Sequence, residues 1–205
     1  MQRYLDYNAS CPSLKSGLDA LYAAATEAPG NPSSLHWAGR QARRILDDAR
    51  DRLAAHIHAE PGSVVFTSGG TEANNLAIHG WLTGQQPGRI ITSAIEHPSV
   101  LRPVSQWGEK AGWKVMHVRP DASGAVNADE FCAHITDDTR LVCLMTANNE
   151  TGVIQPVAEV AAYCRERGVA MLVDAVQALG KLPLDVAGLG ADFVSLSSHK
   201  IGGPK

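Results

Sequence analysis

The sequence predicts an α/β fold with a mostly parallel sheet covered by helices on both faces. Two observations carry this expectation. Short apolar runs alternate with longer stretches of helical periodicity along the whole chain. Nearly every apolar run also ends in a polar loop of a particular mixture: glycine, hydroxyl, imidazole, amide, carboxylate and amine. In parallel sheets built this way, ligands bind beyond the carboxyl ends of the strands.

The elements follow in order. Residues 40–57 place Ile45, Leu46, Ala49, Leu53 and Ile57 on one helical face. The first expected strand, 63–67, is followed by Ser68-Gly69-Gly70-Thr71, and 71–82 reads as a helix carrying Leu76, Ala77 and Leu82. A strand over 89–93 leads to Glu96-His97 and to a helix over 98–111, with Pro98 in its first turn. Further strands are expected at 114–118 and at 141–146, the latter followed by Asn148-Asn149-Glu150. A helix over 156–167 runs from Pro156 to a stop at Gly168. The last two strands, 170–173 and 193–196, lead to Asp174-Ala175-Val176-Gln177 and to Ser197-Ser198-His199-Lys200.

Composition narrows the function classes. Of 205 residues, 44% are apolar and 19% charged, a globular balance with a formal net charge of −3. That charge argues against a nucleic-acid partner, which needs a basic face. No run reaches the roughly eighteen apolar residues of a membrane span. The start, Met1-Gln2-Arg3-Tyr4-Leu5-Asp6, lacks the basic-then-apolar pattern of a signal peptide. Cys11, Cys132, Cys143 and Cys164 form no CxxC and no metal-ligand spacing, so no metal site is expected. Cys143 lies in an apolar run and reads as core. This usage fits a reducing cytoplasm.

The loops hold the chemistry. In Ser68-Gly69-Gly70-Thr71, glycines let backbone approach a ligand, and a helix start favours an anion. A phosphate site and an ordinary glycine turn capped by Thr71 fit this segment equally well. Ser197 and His199 could add donors to the same anion. Asp174 leaves an apolar strand, and a carboxylate there needs a partner. A protonated pyridine nitrogen, a helix cap or an internal ion pair would each serve. Lys200 also follows an apolar strand, and a desolvated lysine amine attacks an aldehyde. His97 offers a ring for stacking and proton transfer, with Glu96 either orienting it or facing solvent. Asn149 and Gln177 offer amides to a phenolic oxygen. A phosphate, a pyridine nitrogen and an aldehyde served from one sheet edge together describe pyridoxal 5'-phosphate.

These segments, in order and spacing, resemble the cysteine desulfurases. The resemblance rests on Gly30-Asn31-Pro32-Ser33-Ser34, Thr67-Ser68-Gly69-Gly70-Thr71-Glu72, Glu96-His97, Asn148-Asn149-Glu150-Thr151-Gly152, Val173-Asp174-Ala175-Val176-Gln177 and Ser198-His199-Lys200-Ile201-Gly202-Gly203-Pro204-Lys205. That family is the class V aminotransferase branch of the fold-type I pyridoxal-phosphate enzymes. The resemblance implies that Lys200 holds the cofactor as a Schiff base and that Asp174 pairs with its ring nitrogen. It implies that His97 stacks on the ring and assists proton transfer, with Asn149 and Gln177 at the ring side. Gly70, Thr71, Ser197 and His199 would hold the phosphate. The reaction so implied takes sulfur from L-cysteine, leaves L-alanine, and passes the sulfur on as an enzyme persulfide to an acceptor or scaffold protein. Iron–sulfur cluster assembly and tRNA thiolation are the uses it implies.

The resemblance also sets expectations about extent. Residues 1–15 would associate with the small domain, and 16–205 would form the large cofactor-binding domain, incomplete at its C-terminal end. The small C-terminal domain, the persulfide cysteine and the substrate-binding arginine would lie outside the chain. A homodimer is implied for the complete enzyme. Other readings are a selenocysteine lyase or aminotransferase of the same class, a cofactor-binding fragment without turnover, and a nucleotide-binding domain. The last leaves Asp174 and Lys200 without a role.

Overall fold

The computed structural model describes residues 3–204. The chain forms two compact units: Thr67–Ser197, and Met1–Phe66 together with Ser198–Lys205.

The unit Thr67–Ser197 holds a five-stranded, all-parallel sheet in the order β2-β1-β3-β4-β5. Its strands are β1 (Arg89–Ser93), β2 (Lys114–Val118), β3 (Thr139–Met145), β4 (Met171–Asp174) and β5 (Phe193–Ser195). A helix follows each of the first four strands: α4 (Pro98–Gly108), α5 (Ala128–Ala133), α6 (Val157–Arg167) and α7 (Val186–Leu189), and α3 (Gly70–Thr83) precedes β1. Parallel neighbours require such crossovers.

The pleat sorts side chains to two faces. Ile90, Leu141, Cys143 and Leu172 pack on one face with Ile78 and Leu82 of α3 and Val100, Val104 and Trp107 of α4. Ile91, Val142, Leu144, Met171 and Val173 pack on the other with Phe131 of α5 and Val160, Ala161 and Cys164 of α6. β3 is buried at six of its seven positions, which explains its continuous apolar run. The α/β expectation with both faces covered is therefore met. Cys143 is core, as the sequence predicts.

The unit of residues 1–66 and 198–205 contains α1 (Lys15–Glu27), α2 (Trp37–His56) and short 3₁₀ turns at Pro61–Ser63 and Ser198–Lys200. Cys11 N–H donates to His199 O at 2.9 Å and Leu14 N–H to Gly202 O at 2.8 Å, tying the two chain segments together.

The expected strand at 63–67 is not one. Pro61–Ser63 closes a 3₁₀ turn, and Val64 continues in extended conformation without joining the sheet. Val65 and Phe66 are exposed. Arg50 Nε donates to Val64 O, and its guanidinium lies over the Phe66 ring at 5.4 Å. A β-prone run becomes strand only where a neighbour offers a ladder, and none does so here. The helices at 40–57, 71–82, 98–111 and 156–167 all appear, with boundaries moved by up to three residues. Pro156 is the N-cap of α6 rather than its first residue.

Candidate functional site

All five strands point one way, so their carboxyl ends share an edge. Chain order reverses between β1 and β3. In open parallel sheets that switch point is where loops diverge and ligands enter. Here the loops after β1 and β3 are stitched together by buried polar groups. Asn148 Nδ2 donates to Ile95 O at 3.0 Å. Glu96 Oε1 accepts from Met145 N–H at 2.8 Å and from Ser93 Oγ at 2.6 Å.

Glu96 is thus neither a solvent-facing residue nor one bonded to His97. It is 4% exposed, and its Oε2 has no partner. Burial pushes its carboxyl up to about 8; the bonds from Ser93 and Met145 oppose that, and the nearby Asp174 charge adds to it.

Asp174 ends β4 and is buried. Its Oδ1 accepts from Val176 N–H at 3.1 Å and its Oδ2 from Asn74 Nδ2 at 2.9 Å. Both donors are neutral, so neither supplies a compensating charge. Asn74 comes from α3, where it shares a buried stripe with Ile78 and Leu82. The sequence reading missed it, although its i, i+4, i+8 spacing from those two residues was visible.

Gly70 and Thr71 open α3, whose fourteen residues leave the first N–H groups without intrahelical acceptors. Glu72 Oε2 accepts from Ser68 N–H at 2.6 Å, and the Ser68 hydroxyl together with that N–H holds the Glu72 carboxyl below its usual range. Gly69 has φ +153°, a conformation L side chains rarely adopt, and a Cβ there would meet no atom within 4 Å. At Gly70 a Cβ would sit 2.8 Å from Val176 Cγ2 and 3.8 Å from Ser197 Cβ, so the helix start lies close against the loops after β4 and β5.

The unit Thr67–Ser197 therefore collects Gly70, Thr71, His97, Asn149, Asp174, Gln177 and Ser197 on the loops and helix start at its carboxyl edge. His97 caps α4, its Nδ1 accepting from Ser99 N–H at 3.1 Å. Asn149 Nδ2 donates to Glu150 Oε1 at 2.7 Å. Gln177 is buried, with Oε1 accepting from Lys181 Nζ at 2.6 Å. His199 and Lys200 belong to the other unit, on its Ser198–Lys200 turn. There Lys200 Nζ donates to the carbonyl oxygens of Asn8 and Ala9, at 2.5 and 3.0 Å. Among the described residues no cluster of His, Cys, Asp and Glu could hold a metal ion. No described helix is long and apolar enough to cross a membrane.

Fold and edge define Thr67–Ser197 as a doubly wound α/β unit whose polar loop residues gather at the carboxyl ends of its parallel strands. Residues 3–205 match the family described as aminotransferase class-V, and the chain belongs to that family. It is 40% identical over 204 residues to the cysteine desulfurase IscS of Dictyoglomus turgidum, covering 98% of this chain and 52% of that protein. It is 39% identical to the putative cysteine desulfurase NifS of Bacillus subtilis, covering 98% of this chain and 51% of that one. The solved structure of SspA in complex with cysteine superposes with a TM-score of 0.95 at 35% identity, over 100% of this chain and 59% of that chain. The chain thus spans about half the length of the curated relatives it matches.

The family implies pyridoxal 5'-phosphate, and the donor set fits it. Asp174 presents a buried carboxylate held only by neutral donors, as a cationic ring nitrogen requires. Unpaired N–H groups at the start of α3, beside open space at Gly69, suit a phosphate.

Proposed function

We propose that this chain is the cofactor-binding part of a pyridoxal-phosphate-dependent cysteine desulfurase. The observation that carries the reading is the Asp174 carboxylate at the end of β4, buried against the start of α3 and held by Asn74 and Val176. Similarity to cysteine desulfurases over nearly the whole chain supports it.

In this reading Lys200 Nζ would hold the cofactor through its aldehyde carbon, and the Asp174 carboxylate would pair with the ring nitrogen. His97 would stack on the ring and would carry a proton to or from the substrate carbon. Asn149 and Gln177 would contact the ring side, Gln177 toward the phenolic oxygen. Gly70, Thr71, Ser197 and His199 would hold the phosphate. When bound, pyridoxal phosphate supplies an electron sink for bonds broken at the amino-acid substrate. The substrate is L-cysteine: a cysteine thiolate of the complete enzyme, outside this chain, takes the substrate sulfur as a persulfide for an acceptor or scaffold protein, and the broken C–S bond is closed by a proton to leave L-alanine. Iron–sulfur cluster assembly or tRNA thiolation are its uses. Residues 16–205 belong to the large domain and 1–15 associate with the small one. The complete enzyme is a homodimer of the cytoplasm, in keeping with the free thiols at Cys11, Cys132, Cys143 and Cys164.

The test is chemical. Incubation with pyridoxal phosphate followed by borohydride should fix the cofactor on the peptide containing Lys200, read by mass spectrometry. In the complete enzyme, L-cysteine should yield alanine. Attachment at Lys181 instead would refute the site. Selenide release from selenocysteine without sulfide release from cysteine would refute the substrate.

A further inference from the structure

At the carboxyl edge, Asp174, Asn74, Ser99 and His97 form one continuous hydrogen-bonded chain within Thr67–Ser197. We propose that Asn74 and Ser99 are positioning residues that hold His97 as its Nε2–H tautomer and tie its ring to the Asp174 carboxylate. The inference rests on the reading of His97 and Asp174 as the two ring-facing groups of the cofactor site.

The direction of each bond follows from what each group can do. A carboxylate accepts, and Asn74 turns its amide nitrogen toward that of Asp174. Asn74 Nδ2 carries two hydrogens, and both have acceptors: Asp174 Oδ2 at 2.9 Å and Ser99 Oγ at 2.9 Å. The flipped amide would set Oδ1 against the carboxylate. Asn74 is fully buried, so no water relieves that repulsion.

Ser99 Oγ, having accepted from Asn74, keeps its own hydrogen to donate. His97 Nδ1 lies 2.7 Å away. The backbone N–H of Ser99 converges on the same nitrogen at 3.1 Å. A ring nitrogen that accepts two donors carries no hydrogen, so the neutral imidazole bears its proton on Nε2.

Ser99 is itself pinned. It is 7% exposed, in the first turn of α4. Pro103, four residues on, has no N–H to give Ser99 O, and Asn75 Nδ2 approaches that oxygen at 3.5 Å instead. Two amides of α3 thus set the position of a residue that sets the imidazole. Packing alone would not choose between ring nitrogens; this chain of donors does.

The tautomer is read directly. Long-range proton–nitrogen correlation spectra of histidine-labelled protein, taken without cofactor at a pH where the imidazole is neutral, distinguish a ring nitrogen that bears hydrogen from one that does not. His97→Gln assigns the signals. The wild-type protein should show Nε2 bearing the hydrogen. Ser99→Ala removes one of two donors and should raise the Nδ1–H form about five-fold, one hydrogen bond's worth. Ser99→Thr keeps the hydroxyl and should restore the wild-type pattern. A wild-type Nδ1–H form, or a Ser99→Ala protein with an unchanged ratio, would overturn the proposal. Should Ser99→Ala not fold, the wild-type spectrum decides alone. Cofactor attachment to Lys200 is scored separately, so failure of the site reading and failure of the tautomer device give different results.

Discussion

Glu96→Gln should make this protein more stable at neutral pH, although it deletes a buried, hydrogen-bonded carboxyl. The reason lies in the burial. Folded, Glu96 titrates at about 8; in the unfolded chain it titrates near the ordinary 4.5. Between those values the folded chain keeps a proton that the unfolded chain releases. Stability therefore falls as pH rises, by about 1.4 kcal/mol per pH unit. Between pH 5 and pH 7 that amounts to about 3 kcal/mol, a large share of an ordinary domain's stability. Glutamine keeps the acceptor for Ser93 Oγ and Met145 N–H. Its amide nitrogen replaces Oε2, which has no partner. The variant should thus match the wild type near pH 5 and exceed it by about 3 kcal/mol at pH 7. Urea unfolding followed by fluorescence reads this, since Trp81, Trp107 and Trp113 all lie in Thr67–Ser197. Parallel pH profiles for the two proteins would refute the reasoning, because they would mean that Glu96 does not gain its proton on folding.

Three further outcomes are expected. Gly69→Ala forces a β-carbon onto a φ of +153° and should cost about 1–3 kcal/mol in urea unfolding while weakening pyridoxal-phosphate binding in a spectroscopic titration; an unchanged midpoint would show that the turn relaxes. Phe131→Ala empties the largest fully buried side chain of the α5–α6 face and should destabilise by about 3–5 kcal/mol, read by the same unfolding assay. In thiol titration with Ellman's reagent, Cys11 should react first in the folded protein. Cys132, Cys143 and Cys164 should stay protected until unfolding, because burial raises all three thiols, Cys164 to about 12.

How far the sequence could be read depended on what each feature needs. Local signals suffice for much of the fold: α2 and α3 show in apolar spacing, α4 and α6 in the Pro98, Pro156 and Gly168 boundaries, and β1 to β5 in their runs. The short helices α5 and α7 carry too few turns for a period to show. The run at 63–67 has strand composition but no ladder partner, and no local pattern reports that. Asp174 and Gly70 stand out as site candidates because they follow apolar runs in the sequence. Glu96, expected either to orient His97 or to face solvent, does neither, and no local pattern reports that. Its carboxyl accepts from Met145 N–H, forty-nine residues away in the chain.

By itself the sequence determined the alternation of strands and helices, and hence a parallel sheet with polar loops at one edge. It also determined which residue types stand at those loops. Only the tertiary structure decided that Asn74 links Asp174 to Ser99 and His97, since residues 25 and 100 positions apart meet through the packing of α3 on the sheet. It also set the partners of Lys200 Nζ, the carbonyl oxygens of Asn8 and Ala9 near the other end of the chain. Periodicity arises between near neighbours in the chain, whereas hydrogen bonds that set a carboxylate, an imidazole tautomer or an amine join groups far apart in it.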